Sequence, residues 1–159
     1  MSSQKAAAKV FSVENRLARI ARQPGGKSVA EALKAAEQRI ESVRERCEGA
    51  LSVKAEQMVA VAAGDRASDG AATLDRLYDI ANAIFGVAGA FGLDALAEAA
   101  CSLCDLVYRF RGGEAVNWAA VDVHVDGIRL LATGKSGDAA AETVLAGLRQ
   151  VRARFVPGV

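Results

Sequence analysis

Apolar residues recur every three or four positions along nearly the whole chain, which is the period of an amphipathic helix. Between residues 4 and 22, Val10, Val13, Leu17 and Ile20 share one side, and Lys5, Lys9, Arg16, Arg19 and Arg22 share the other. Gln23-Pro24-Gly25-Gly26 stops this first helix, because proline cannot extend it and glycine supplies the turn. Ser28-Val29-Ala30-Glu31 is a capping box that opens the next helix. Its stripe runs through Leu33, Ile40, Val43, Cys47, Leu51, Met58 and Val61. This predicts either one helix from Ser28 to about Ala63 or two segments bent at Gly49. The run from Gly64-Asp65 to Asp69-Gly70 predicts a loop.

The central stretch from Leu77 to Cys104 predicts a helix pair, approximately Ala71–Phe91 and Leu93–Phe110. Leu74, Leu77, Ala81, Ile84, Ala88 and Phe91 line the first, Gly92 allows a break, and Leu96, Ala100, Leu103, Val107 and Phe110 line the second. A connection this short makes the two helices antiparallel neighbours. Arg111-Gly112-Gly113 ends the pair, and Asn117 is placed to cap a helix over Trp118–Ala132 with Val121, Val125, Ile128 and Ala132 inward. After turns at Thr133-Gly134 and Ser136-Gly137, Asp138 is placed to cap a last helix lined by Ala141, Val144, Leu148, Val151 and Phe155. Four helices in succession with short turns predict an all-α fold, an up-down four-helix bundle with additional N-terminal helices. Residues 1–27 then form a basic helix and turn, and residues 28–159 a helical domain whose bundle core spans about 71–155.

Composition narrows the function classes. The chain has 159 residues, of which 52% are hydrophobic, so one domain with a substantial core is possible. A net charge of +1 argues against a dedicated nucleic-acid binder. The longest uncharged run, Ile80 to Leu93, falls short of the ~20 apolar residues that span a bilayer. Cys47, Cys101 and Cys104 make an odd count, which fits free thiols in a reducing, cytoplasmic setting. The basic side of the first helix suits either an acidic partner or ordinary solvation.

The central helix also carries a second stripe of small or polar residues: Asp75, Asp79, Asn82, Gly86 and Gly89. With Gly89-Ala90-Phe91-Gly92 and the Leu-rich, Cys-containing helix that follows, this stretch resembles the motif region of bacterial histidine phosphotransfer (HPt) domains. The resemblance spans roughly Ser28 to Phe155. It implies a helical bundle whose motif face docks the receiver domain of a response regulator in two-component or chemotaxis signalling. Matching the downstream glycines aligns Gly86 with the motif glycine, Phe85 with the motif lysine and Asn82 with the phosphorylated histidine. A competing register on Tyr78-Asp79-Ile80 puts Tyr78 at the histidine, Ala81 at the lysine and Asn82 at the glycine. Both registers leave the histidine and the lysine absent. An amide is no nucleophile for a phosphoaspartate, and an aromatic ring offers apolar contact area where the family has a cation. The resemblance therefore implies a non-catalytic adaptor that needs no cofactor or metal. Its partner face would comprise Asp75, Tyr78, Asp79, Asn82, Phe85, Gly86 and Gly89.

Three other constellations offer different chemistry. Gly86, Gly89 and Gly92 are not spaced as a nucleotide loop, and no strand precedes them. They serve close approach, either by a partner or by a neighbouring helix of the same chain. Cys101-Ser102-Leu103-Cys104 lies well inside a helix, where thiols pack as small hydrophobes rather than act in redox chemistry. His124 is the only histidine and sits at the margin of an apolar face, without a following Lys-Gly and flanked by Asp122 and Asp126. A structural role is favoured. The alternatives are an active phosphotransfer protein using His124, or a self-association module in which Phe85 and the glycines form a homodimer interface.

Overall fold

The computed structural model describes residues 15–22, 25–134 and 137–156. Six α-helices and no strand occur among them. The chain divides into two compact units, residues 1–39 and 40–159.

Most of the first predicted helix, including Lys5, Lys9, Val10 and Val13, lies outside the described residues, as do Gln23 and Pro24 of its stop signal. Within the first unit, α1 spans Arg16–Ala21, and the Asn15 side chain caps it by accepting from Ala18 N at 3.0 Å. It buries none of its residues. The capping box forms as expected. Ser28 N donates to Glu31 Oε2 at 2.7 Å and Glu31 N donates to Ser28 Oγ at 3.2 Å, satisfying two donors at a helix start.

From that box α2 runs over Val29–Ala62 as one continuous helix, so Gly49 does not interrupt it. Its stripe is buried only at Leu51, Ala55, Met58 and Ala62. Leu33 and Ile40, expected in a core, remain 58% and 48% exposed. Periodicity orients a side chain, but a neighbouring element must arrive to cover it.

The second unit holds all the buried residues of the described chain. The expected loop at residues 64–70 is shorter than predicted, because α3 starts at Arg66 and runs to Ala90. Asp65 makes this possible by accepting from Ala67 N at 3.0 Å and Ser68 N at 3.4 Å, a side-chain cap that consumes free helix-end donors. The residual loop signal survives as a kink at Asp69, whose φ of −133° is not helical. At the other end Gly92 adopts φ +70°, and Leu93 N returns to Ala88 O at 3.0 Å to close the turn.

Three further helices follow: α4 (Asp94–Arg111), α5 (Trp118–Ala132) and α6 (Asp138–Ala153). Asn117 caps α5 as predicted, accepting from Ala120 N at 3.0 Å. Asp138 does not cap α6. Gly137 occupies that position and Asp138 lies in the first turn, where a carboxylate favours the helix dipole. α4 packs against α3, α5 and α6, and α5 also against α6. Polar contacts give relative directions. Ser52 Oγ donates to Ala132 O at 2.8 Å, Glu56 pairs with Arg129 at 2.9 Å, and Arg66 just beyond α2 pairs with Asp122. One series rises as the other falls, so α2 and α5 are antiparallel there. Glu98 with Arg149 and Asp105 with Arg152 rise together, so α4 and α6 run parallel. Phe155, just past α6, meets Phe110 edge to face at 5.7 Å.

Candidate functional site

Helix α3 separates its two stripes cleanly. Leu74, Leu77, Ala81, Ile84 and Ala88 are buried, while Asp75, Asp79, Asn82, Phe85, Gly86 and Gly89 are exposed, Phe85 nearest the buried stripe. Tyr78, at the edge, is half-buried. The structure thus brings all seven candidate residues onto one helix surface. Two of them are braced by α4. Asp75 pairs with Arg111 at 2.9 Å, and the Arg111 guanidinium stacks 5.2 Å from the Tyr78 ring centroid. Asp79 and Asn82 have no side-chain partner among the described residues. Phe85 leaves 44% of its surface open to solvent.

The two glycines on this face are not packing devices for the fold. A Cβ built on Gly86 or Gly89 meets no atom within 4 Å. Each costs the helix ~1 kcal/mol relative to alanine, and no intramolecular contact offsets it. Close helix packing, one of the two expectations for these positions, belongs instead to Gly127 of α5. A Cβ there would stand 3.0 Å from Leu148 Cδ1 and 3.4 Å from Val144 Cγ1, so glycine admits α6 to α5. Its place three residues after His124, on the buried side of a helical period, was the available signal.

His124 is fully buried rather than marginal. Its Nδ1 lies 2.8 Å from Ala120 O, which can only accept, so Nδ1 carries the proton and donates. Nε2 is then an acceptor, and the Ser102 hydroxyl donates to it at 2.9 Å. Burial pushes the imidazole pKa below its ordinary value, and the positive field of Arg152 adds to this against the opposing Ala120 hydrogen bond. The ring is a neutral, satisfied core group with neither nitrogen facing solvent. Ser102, its partner across α4 and α5, was not identifiable from the sequence because it is separated from His124 by 22 positions. Asp122, one of the flanking acids, is held by Arg66, which also stacks on Trp118 at 4.7 Å.

Cys101 and Cys104 are half-buried and free. Burial raises both thiol pKa values, with that of Cys104 pushed up to about 11, so neither thiolate forms readily near neutrality. No group of three or more His, Cys, Asp or Glu side chains among the described residues is arranged to hold a metal ion. No helix among them is long and apolar enough to cross a membrane.

A hollow of about 530 Å³ adjoins the α3 face, lined by Tyr78, Tyr108, Arg109, Arg111, Gly112 and Glu114. Tyr108 is exposed, and α4 thereby adds an aromatic and basic margin that α3's own period does not reveal. The arrangement has an exposed ring, open glycines and the polar side chains of Asp79 and Asn82. No family model, curated protein or solved structure matches the chain.

Proposed function

We propose that this chain is an HPt-like adaptor without phosphotransfer chemistry, which binds a response-regulator receiver through the exposed face of α3. In this reading the later helices form an up-down bundle, consistent with the antiparallel run of α2 and α5 and the parallel run of α4 and α6. The observation that carries the proposal is the open space over Gly86 and Gly89. Two helix-weakening residues that serve no internal packing leave room for another protein's backbone to approach. Phe85 beside them supplies apolar area for such a contact. Asn82, in the position of the acceptor by resemblance, gives a polar group without a nucleophile. The enclosed Nε2 of His124 favours this reading over phosphotransfer through that residue, since a phosphoryl donor would have to enter the core.

The test is binding of a panel of purified receiver domains, phosphorylated and unphosphorylated, to the full chain. At least one receiver should bind. Gly86→Arg should weaken it by about tenfold or more, a cost of ~1.4 kcal/mol, while helical circular dichroism is retained because arginine is the better helix former. Gly86→Ala should fold and bind more nearly as the parent. Absence of any bound receiver, or an affinity indifferent to Gly86→Arg, overturns the proposal.

A further inference from the structure

A cavity of about 310 Å³ lies between the end of α2 and the start of α3, with Ala60, Asp65, Asp69, Thr73 and Arg76 in its wall. Thr73 is the unusual member. It is only 5% exposed, yet its hydroxyl has no hydrogen-bond partner among the described residues. Thr143 of α6 shows what a helical threonine ordinarily does, donating to the carbonyl of Ala139 four residues back at 2.9 Å. No such bond runs from Thr73 to Asp69, where α3 is kinked. Among the described residues the only fully sealed side-chain nitrogen or oxygen without a partner is Arg152 Nε. The Thr73 oxygen is therefore not sealed, and it opens on the cavity that Thr73 lines.

Two charged side chains flank that hydroxyl. Asp69 stands four residues before Thr73 and Arg76 three after, so a helical period puts all three on one side of α3. Neither charged side chain has a partner among the described residues. Asp65, the remaining acid, is committed to the helix start, where it accepts from Ala67 N, Ser68 N and Ser68 Oγ. Gly64 N turns to Val61 O at 3.1 Å, which leaves Ala60 O without its usual helical donor and adds an acceptor to the wall.

We propose that this cavity binds a small α-amino acid as its zwitterion. Arg76 and the Thr73 hydroxyl donate to the carboxylate, and Asp69 and Ala60 O accept from the ammonium. Asp69 and Arg76 are about 10 Å apart along the helix. A hydrogen bond of about 2.8 Å at each end and a short zwitterion between them fill that span. A simple anion would meet the like charge of Asp69, and a simple cation that of Arg76, whereas a ligand with both charges pairs both. The volume is at the small end for ligand sites, which suits glycine, alanine or serine rather than a large side chain. The site shares no residue with the proposed α3 docking face, so the two stand or fall separately.

Glycine, L-alanine and L-serine are titrated into the full chain at neutral pH, followed by calorimetry and amide NMR shifts. Acetate and methylamine at matched ionic strength serve as single-charge probes. At least one of the three amino acids should bind saturably at millimolar concentration or below, with shifts concentrated over residues 60–76. Acetate and methylamine should each bind at least about tenfold more weakly. Thr73→Val keeps the side-chain shape and removes the hydroxyl, and it should weaken amino-acid binding by about tenfold. Asp69→Asn and Arg76→Gln, both at exposed positions, should do so at least as strongly while the circular-dichroism spectrum stays helical. No saturable binding of any of the three, acetate binding as tightly as glycine, or an affinity indifferent to Asp69→Asn and Arg76→Gln overturns the proposal.

Discussion

Helix α4 and the first half of α2 carry comparable apolar periods and meet opposite surroundings. In α4, nine of eighteen residues are buried, because α3, α5 and α6 all pack on it. In α2 the leading residues from Val29 onward bury nothing until Leu51. One helix therefore holds the second unit together, and the other leaves the same kind of side chain open to solvent at Val29, Leu33 and Ile40. The difference lies in what surrounds the helices. Hydrophobic side chains stabilise a fold by the water they leave, and only α4 has neighbours along its whole apolar stripe to displace that water.

The most severe way to test the contrast is truncation at matched positions. Leu103 is completely enclosed, and Leu103→Ala should cost 2–5 kcal/mol, on the order of other buried leucine truncations. Leu33→Ala should stay within about 0.5 kcal/mol of the parent, because Leu33 is exposed. Chemical denaturation of both variants measures this, and equal losses would erase the distinction drawn between the two helices.

A smaller effect follows from the polar pair inside α4 and α5. The pKa of folded His124 is depressed below the ordinary value, chiefly by burial, so between those two values the unfolded chain binds the extra proton. Stability is then at its full value above about pH 6.5, the ordinary histidine range. It declines as pH falls from there toward the depressed folded pKa. As His124 is the only histidine, denaturation midpoints followed from pH 7.5 to 5.5 should report this group with little interference. A flat profile would mean that the imidazole is not enclosed as described.

The smallest effects distinguish open from occupied glycines. A Cβ meets no atom within 4 Å at Gly49 or Gly86, so Gly49→Ala and Gly86→Ala should each raise stability by up to about 1 kcal/mol through helix propensity. Gly127→Ala should rank below both, since its methyl presses on Leu148 at 3.0 Å. Thermal midpoints give the order. Were Gly127→Ala the most stabilising of the three, the close approach of α6 to α5 would have to be relaxed in solution.

Local signals were legible wherever the controlling chemistry lies within a few residues. The Ser28–Glu31 box, the Asn117 cap and the Gly92 turn form as their residues predict, because caps and turns are built from adjacent backbone donors and acceptors. The errors at the start of α3 and the cap of α6 are of the same local kind. Asp65 out-competed the loop signal that follows it, and Gly137 took the cap one residue before Asp138. The seven residues of the α3 face were also readable, since one helical period specifies which side chains share a side.

The sequence by itself determined that the described chain is helical, roughly where α3 to α6 begin and end, and that Asn82 and Phe85 share a stripe with Gly86 and Gly89. Tertiary structure alone decided which apolar stripes are covered. Leu33 and Leu103 are the same residue type, each on an apolar stripe, and only the latter belongs to a helix that three others pack against. It also decided that the packing glycine is Gly127 rather than Gly86, and that His124 is enclosed with Ser102 as its partner. Both outcomes depend on residues brought together from different helices. A helical period sets the direction of a side chain about its own axis, and burial depends on what another segment places there.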